Sequence, residues 1–488
     1  MAGDGTGHLT LLDLLSNSLI LSHIAPYLGL TSLYALGSTS HAFKSLVFES
    51  HNAFRYLDLS TVKYASGLTS AEDLTESDLQ QHFGRSFVTE DDFYSDPLRQ
   101  IFTRLTKKNI LRDVQTLILD GLSVPADLIR EIICDEPFNV RILSVREAEN
   151  LNERKLMQVL KYAMRPSRPE GTPKLRALYI FGPKDQPPMS DKDDDAFTDS
   201  SANRQEAVSR NLRSSASPGI HIASSWNHRS QHALSSALSR SGNDWWQGSG
   251  RVIARPLPDW AEIVQLCEGV IAFDAILCRG PRHNPRSILR PEDQVDSRST
   301  LPFLRPAIAT IALGPEGCNN CHSSPEGAAI YGKSKPKELP LLAPPPFHSS
   351  SVRAAQMPPP HLAAGDVHLF ARCEECLRER WCESCNKWWC ESCYDGQPTV
   401  TLTILQQREL YEELLAAGAS HSHSSEESIK GVKRDCWECG RTCATCIART
   451  QRKCKSCTGG YCILHNEGSS ATSCDWCSTT RPQTRDLY

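Results

Sequence analysis

Residues 373–393 read CEECLRERWCESCNKWWCESC, a stretch that places six cysteines within 21 residues. The cysteines form three C-x2-C pairs, in which two residues separate the partners. This spacing lets a tight turn direct both sulfurs at one tetrahedral ion, so it is typical of zinc sites. The stretch is too polar to build a large apolar core, and it therefore predicts a fold that is stabilised by metal.

The same pairing continues through the C-terminal part of the chain. Seventeen of the 20 cysteines lie between residues 318 and 477, and each belongs to a close pair. Eight pairs are C-x2-C and the ninth is C-x2-H. Eight of these pairs would bind about four zinc ions, and a separate site at the first pair would make five. The predicted metal ligands are Cys318, Cys321, Cys373, Cys376, Cys382, Cys385, Cys390, Cys393, Cys436, Cys439, Cys443, Cys446, Cys454, Cys457, Cys462, His465, Cys474 and Cys477.

An internal repeat divides the cysteine-rich tail. Four residues separate the pair at Cys382 from the pair at Cys390, and four separate the pair at Cys454 from Cys462. This spacing resembles the cross-brace of RING and FYVE-like fingers, in which pairs one and three share one ion and pairs two and four share another. The resemblance implies two zinc modules, at residues 372–440 and 441–480. Their pairs begin at Cys373, Cys382, Cys390 and Cys436, and at Cys443, Cys454, Cys462 and Cys474.

The first cysteine pair stands apart, in a Pro-rich linker that spans residues 318–371. Its partner ligands stay open between two alternatives, the pair Cys373/Cys376 and a nearby histidine. If it takes Cys373/Cys376, the module boundaries shift by one pair. The candidate histidines are His322, His348, His361 and His368. A disulfide framework is the alternative to metal, but no basic segment followed by a cleavage site argues for export. We therefore expect reduced thiols in the cytoplasm or the nucleus.

Apolar residues in the N-terminal part recur at spacings of three and four, which predicts short amphipathic helices over residues 11–50. The run from Leu15 to Leu33, followed by residues 39–46, resembles the F-box, a helical motif that docks on the Skp adaptor of cullin-based SCF ubiquitin ligases. Ser16 and Phe43 stand where that family has Pro and Trp. The alternative is a helical cap on the next domain. The resemblance implies adaptor contacts by Leu15, Ile20, Ile24, Leu28, Leu33 and Leu36.

A second apolar pattern, i, i+3, i+5, matches the strand signature of leucine-rich repeats. With helical stretches between its copies, it predicts an irregular α/β leucine-rich-repeat-like solenoid over residues 51–182 and 251–317. A Ser/Asp-rich insertion at 183–250 is predicted to be disordered. A non-repetitive α/β domain is the alternative, and Cys134, Cys267 and Cys278 are interpreted as core residues. The six copies are Phe54/Leu57/Leu59, Val114/Leu117/Leu119, Val140/Leu143/Val145, Leu175/Leu178/Ile180, Phe273/Ile276/Cys278 and Ile308/Ile311/Leu313.

Length and charge limit the remaining function classes. A chain of 488 residues accommodates two to four domains, so the predicted fold is multidomain. The net charge of −4 gives no general attraction to nucleic acid or to a membrane surface. No apolar run approaches the roughly 18 residues that a membrane span needs.

The order of an F-box-like module followed by repeats resembles the substrate receptors of SCF ubiquitin ligases. The resemblance implies a non-catalytic subunit that binds the Skp adaptor and cullin complex at its N terminus. Its repeats and zinc modules would bind an unknown protein substrate. Every cysteine after residue 278 is paired, so no spare nucleophile is expected for thioester chemistry. Two alternatives remain open: a RING-like finger that acts directly as a ligase, and a zinc-stabilised nuclear scaffold or DNA-binding protein.

Overall fold

The computed structural model describes most of the chain in separate stretches. The insertion predicted at 183–250 lies outside the described residues except at 183–185, 245 and 250. Among the described helices, none has both the length and the apolar content needed to cross a membrane. The described residues are 10–60, 90–185, 245, 250–283, 304–314, 316–358, 365–394, 431–434, 436, 438–466 and 468–479.

The secondary structure is mixed, with short strands and mostly short helices. The α-helices are α1 Leu11–Ser16, α2 Ser18–Ile24, α3 Leu30–Thr39, α4 His41–Phe48, α5 Glu90–Lys107, α6 Ala126–Cys134, α7 Glu153–Ala163, α8 Trp260–Leu266, α9 Val352–Ala355, α10 Glu374–Leu377, α11 Ala444–Thr450 and α12 Asp475–Thr479. The strands are β1 Tyr56–Asp58, β2 Thr116–Ile118, β3 Ile142–Ser144, β4 Ala177–Tyr179, β5 Gly250–Arg251, β6 Ala272–Phe273, β7 Ile311–Leu313, β8 Ala329–Ile330, β9 His368–Arg372, β10 Val432–Lys433, β11 Thr442–Cys443, β12 Gln451–Lys453 and β13 Gly460–Cys462.

The chain divides into two compact units, each built from separate segments. The first comprises Met1–Asp244, Ile263–Ala275 and Leu339–Ala364. The second comprises Trp245–Glu262, Ile276–Glu338 and Gly365–Tyr488. The first unit contains the N-terminal helices and a parallel sheet, and the second contains all the paired cysteines.

The N-terminal helices α1–α4 enclose a small core, and α1, α2 and α4 begin at polar caps. Thr10 and Asp13 form a capping box at the start of α1, where each side chain accepts a hydrogen bond from the other residue's backbone N–H. Ser40 caps α4 by accepting from the N–H of Phe43 at 3.2 Å. Gly37 lets α3 approach α4 closely, since a Cβ there would lie 2.6 Å from the Phe48 ring. The predicted helical character of residues 11–50 is thus observed.

Five strands of the first unit form one parallel sheet in the order β1-β2-β3-β4-β6. In the first four copies the middle apolar residue lies beside that of the next, so that Leu57 pairs with Leu117, Leu117 with Leu143 and Leu143 with Leu178. The predicted register of the fifth copy is wrong, because Leu178 pairs with Phe273, the first residue of that copy, and not with Ile276. These side chains are buried. Neighbouring strands that are also consecutive repeats are what the i, i+3, i+5 pattern predicts.

Buried polar groups hold the loops that follow these strands. The Asp274 carboxylate, after β6, accepts hydrogen bonds from the backbone N–H groups of Ile180, Phe181 and Gly182 at 2.8–3.1 Å. The Arg146 guanidinium, after β3, pairs with the buried Asp120 carboxylate at 2.8 Å. Because these groups satisfy each other, the polar ends of the strands can be buried beside the apolar core.

The prediction for the sixth repeat copy is wrong. The segment that contains Ile308, Ile311 and Leu313 forms β7, which pairs antiparallel with β5 and β9. It belongs to a separate four-stranded sheet of the second unit, in the order β5-β7-β9-β8. All three residues of β7 are buried, and an apolar spacing of this kind fits any strand covered on both faces. The pattern alone therefore did not identify which sheet the strand joins.

Candidate metal centres

Four clusters of sulfur and imidazole ligands lie in the second unit. Within each cluster the ligand atoms are all within 4.8 Å of one another, so each cluster can hold a metal ion such as zinc. We name them centre I (Cys318, Cys321, Cys390, Cys393), centre II (Cys382, Cys385, Cys443, Cys446), centre III (Cys436, Cys439, Cys462, His465) and centre IV (Cys454, Cys457, Cys474, Cys477).

The distances within the centres fit a tetrahedral ion of this size. Zinc–sulfur bonds of about 2.3 Å place the sulfurs of a tetrahedron about 3.8 Å apart, and a sulfur and an imidazole nitrogen about 3.6 Å apart. The Sγ–Sγ distance between the two ligand pairs is 3.7 Å in centres I, II and IV. In centre III, His465 Nδ1 lies 3.6 Å from the sulfurs of Cys436 and Cys462 and 3.0 Å from that of Cys439, and the sulfurs of Cys439 and Cys462 are 3.3 Å apart. The donor sets and most of these distances therefore fit a metal ion such as zinc, and centre III is somewhat tighter than a zinc tetrahedron.

The first pair of each centre lies on a tight turn of the same kind. In centres I, II and IV the N–H of the first cysteine donates to the carbonyl five residues later, at 2.8–2.9 Å. The residue four positions after that cysteine has a positive φ in every centre: His322, Asn386, Gly440 and Thr458. This left-handed conformation reverses the chain and brings both sulfurs of a C-x2-C pair to one side.

The second pair of each centre lies where a helical turn or a loop begins. Cys443 precedes α11 and Cys474 precedes α12, while Cys390 precedes a 3-10 turn at Glu391–Cys393. The N–H of this first cysteine donates across the site to the first sulfur of the partner pair. The donor–sulfur distances are 3.2 Å from Cys390 to Cys318, 3.2 Å from Cys443 to Cys382 and 3.4 Å from Cys474 to Cys454. These bonds stabilise the negative charge of the thiolates, and the thiolate is the form of cysteine that binds a metal.

The electrostatics of the centres favour a bound cation. Hydrogen bonds from Ser323 lower the pKa of Cys321 to about 6, and backbone N–H groups lower the pKa of Cys454 to about 6. Burial instead raises the pKa of Cys390 and of Cys446 far above the ordinary thiol range. Four thiolates cannot share so small a volume without a compensating charge, and a divalent cation supplies it.

The grouping of the pairs differs from the one expected in two places. The pair Cys318/Cys321 shares centre I with Cys390/Cys393, not with Cys373/Cys376 or a histidine. His322 instead provides the positive φ of the turn. Cys436/Cys439 and Cys443/Cys446 are exchanged relative to the expected modules. With these changes, centres I and II form one cross-brace and centres III and IV form a second.

The pair Cys373/Cys376 belongs to none of the four centres. The sulfur of Cys373 lies instead beside Cys278 and His283, two residues outside the predicted ligand set. Cys278 was interpreted as a core residue, and it is indeed buried. The signal that could have identified it is the C-x4-H spacing of Cys278 and His283 around Gly280 and Pro281. Cys134 and Cys267 lie outside every cluster. Cys267 is buried, but Cys134, at the end of α6, is exposed, so its interpretation as a core residue is wrong.

The predicted adaptor-binding residues lie largely inside the helical module. Leu15 and Leu33 are buried, while Ile20, Ile24, Leu28 and Leu36 are half-buried. Leu15 forms a core with Leu21 and Ala25, against which Ile24 and Leu36 pack. Buried leucines cannot contact a partner unless the module opens. The apolar side chains that α1 and α2 do expose are Leu11, Leu14 and Leu19.

Compared with known proteins, the chain matches no family model, no curated protein and no solved structure.

Proposed function

We propose that this chain is the substrate-recognition subunit of an SCF-type ubiquitin ligase, with an F-box-like N-terminal module that binds the Skp adaptor. The observation that carries the proposal is the apolar surface of α1 and α2. Leu11, Leu14 and Leu19 are 57%, 42% and 71% exposed although the module has its own core. Exposed leucines on short helices are typical of a surface that packs against partner helices.

The geometry of α1 assigns the contact residues. Leu11 and Leu14 are three positions apart and therefore lie on the same side of the helix, and both are exposed although Leu15, which neighbours them on the helix surface, is buried. Leu19 begins the exposed side of α2. The residues that the F-box resemblance implied then support this surface from within the module. In this proposal Leu11, Leu14 and Leu19 make the adaptor contact.

The test is a pull-down of the full chain with the purified Skp adaptor. A Leu11→Asp/Leu14→Asp variant places two charges in the proposed interface without touching the core, so we expect adaptor retention to fall at least about tenfold. The matched control is Leu257→Asp/Leu266→Asp, which changes two exposed leucines elsewhere and should bind like the wild type. A wild-type chain that fails to retain the adaptor, or a control that loses as much binding as the variant, would refute the proposal.

Target recognition falls to the rest of the chain in this proposal. The parallel sheet of consecutive strands supports a leucine-rich-repeat-like solenoid, in which such sheets line an extended binding surface. Zinc is the proposed ion of centres I–IV, because ligand sets of cysteine with one histidine form closed tetrahedral sites that are structural rather than catalytic. The metal would then fix the shape of the tail, whose surface binds a protein.

A second candidate function has an observation of its own. Centres III and IV interleave as a complete cross-brace, and Ile463, Leu464 and Trp476 beside their ligands are 38%, 58% and 79% exposed. A RING-like finger that recruits a conjugating enzyme directly would use such a surface. Ubiquitin-chain formation by the purified chain without any cullin, lost in Trp476→Ala, would favour this candidate. Activity that depends wholly on the cullin complex would exclude it.

A further inference from the structure

A fifth ligand cluster of the second unit lies outside centres I–IV. It contains Cys278, His283 and Cys373, whose ligand atoms are within 4.8 Å of one another. His283 Nε2 is 3.1 Å from Cys373 Sγ. Cys278 and His283 precede Cys373 by about 90 residues in the chain. Strand β9 ends directly before Cys373 and brings it close to these two residues.

We propose that Cys278, His283, Cys373 and Cys376 form a fifth structural zinc site. The fourth ligand follows from the position of Gly280. A Cβ built on Gly280 would lie 2.1 Å from Cys376 Sγ and 3.3 Å from Cys278 Sγ, so both sulfurs crowd against this glycine. The thiol of Cys376 also interacts with those of Cys278 and Cys373. The donor set is three sulfurs and one imidazole, as in centre III.

The surroundings of His283 resemble those of a histidine ligand. Its Nδ1 lies 2.8 Å from the backbone carbonyl of Arg305, to which it can donate a hydrogen bond. That bond fixes the tautomer in which the lone pair of Nε2 points at the cluster. Histidines that bind metals usually donate their second ring N–H to a carbonyl or a carboxylate in this way.

The backbone and a buried arginine complete the site. The N–H of Gly280 donates to Cys278 Sγ at 3.4 Å, and the N–H of Cys376 donates to Cys373 Sγ at 3.3 Å. The first of these matches the bond from Asn320 to Cys318 in centre I, also 3.4 Å. The Arg380 guanidinium lies 4.0 Å from Cys376 Sγ. Three thiolates, a neutral imidazole and a divalent ion carry one net negative charge, and the guanidinium, which also pairs with Glu326 and Glu391, is the positive group beside it.

The order of the ligand pairs gives an independent argument. In centres I and II, the second pair follows the first pair of the next centre and precedes the first pair of the one after that, and in centre III the second pair follows the first pair of centre IV. Without a fifth site, Cys373/Cys376 would break this series. With Cys278 and His283 as its first pair, the fifth site interleaves with centre I by the same rule. All five sites then form one continuous cross-braced series from residue 278 to residue 477.

The test is the metal content of the purified full chain. It is measured by elemental mass spectrometry after dialysis against buffered zinc. We expect about five zinc ions per chain in the wild type and about four in Cys278→Ser and in His283→Ala. The matched control is Cys267→Ser, which removes a buried cysteine outside the clusters and should leave the count unchanged. A wild-type count of about four, with no loss in either variant, would overturn the proposal and leave centres I–IV intact.

A second measurement covers the case in which these variants fold poorly. His283→Cys keeps four ligands, so the variant should retain about five metal ions and stay folded. When the chain is loaded with Co²⁺, its visible absorption should shift as one sulfur–nitrogen site becomes an all-sulfur site. A Co²⁺ spectrum identical to that of the wild type would show that residue 283 does not bind the metal. The site is independent of adaptor binding, so neither result bears on the pull-down.

Discussion

The substitution Glu326→Gln should destabilise the second unit strongly, because Glu326 is the anion between two buried arginines. Its carboxylate pairs with Arg380 and lies 3.4 Å from Arg372 Nε, and the side chains of all three residues are only 3–4% exposed. The N–H of Glu391 donates to the same carboxylate at 3.0 Å. Glutamine keeps the size of the side chain but removes this charge, so that Arg372 loses its counter-charge and Arg380 retains only its pair with Glu391, at 3.0 Å.

The expected cost follows from this burial. Removing one partner of a buried ion pair typically costs about 3–5 kcal/mol, which is a large part of the roughly 5–15 kcal/mol that stabilises a domain. With a guanidinium dependence of about 4 kcal/mol per molar, the unfolding midpoint should fall by about 1 M. The fluorescence of Trp381, Trp388 and Trp389, which are buried in the same core cluster, reports this transition in zinc-containing buffer.

The control removes an exposed ion pair of the same unit. Lys333 and Asp366 form a pair in which the side chains are 63% and 51% exposed, so Asp366→Asn should leave the midpoint almost unchanged. If Glu326→Gln shifts the midpoint no more than Asp366→Asn does, the carboxylate is not the counter-charge of the two arginines. The reasoning from burial would then be refuted.

Three further predictions concern the metal centres and the cysteines outside them. Chelation of the zinc should expose residues 431–479 to proteases, whereas the amides around Leu117 and Leu143 should stay protected from hydrogen exchange. Equal loss of protection in both regions would contradict a structural role of the metal that is confined to the second unit. Gly280→Ala should lower the metal count by about one, because the added Cβ would collide with Cys376 Sγ. The control Gly460→Ala adds a Cβ with no atom within 4 Å and should leave the metal count unchanged. Equal metal counts in the two variants would argue against close packing of Cys376 Sγ on Gly280. Alkylation of the zinc-loaded chain at pH 8 should modify the exposed Cys134 and spare Cys267, because burial raises the pKa of Cys267 to about 12. Detection of alkylated Cys267 by mass spectrometry would disprove this prediction.

The sequence predicted the features that depend on neighbours along the chain. C-x2-C spacing identifies ligand pairs because two sulfurs three positions apart meet in one turn, and the i, i+3, i+5 pattern identified four of the five strands of the parallel sheet in their observed register. The grouping of pairs into centres is a tertiary property. Only three residues separate Cys439 from Cys443, so spacing could not show which of these two pairs joins Cys462/His465. The exchange of these pairs was therefore beyond prediction from spacing.

The buried ligand Cys278 shows a second limit of sequence reasoning. It follows Ile276 in an apolar segment, and a buried free cysteine behaves as a small apolar residue. Only the tertiary position of Cys373, brought close by β9, distinguishes a ligand from a core residue. The proposed adaptor-binding surface was equally hard to predict from sequence. Leu14 and Leu15 have the same chemistry, and only the packing of α1 decides which of them is exposed.

The interleaving of the centres also gives the chain an order of completion during its synthesis. A ribosome adds roughly 5–20 residues per second, and the two pairs of centre I are about 70 residues apart. The first pair of centre I therefore leaves the ribosome several seconds before its partner, and by then the first pair of centre II has also emerged. Because a centre is complete only when its second pair has emerged, centre I would be completed first and centre IV last.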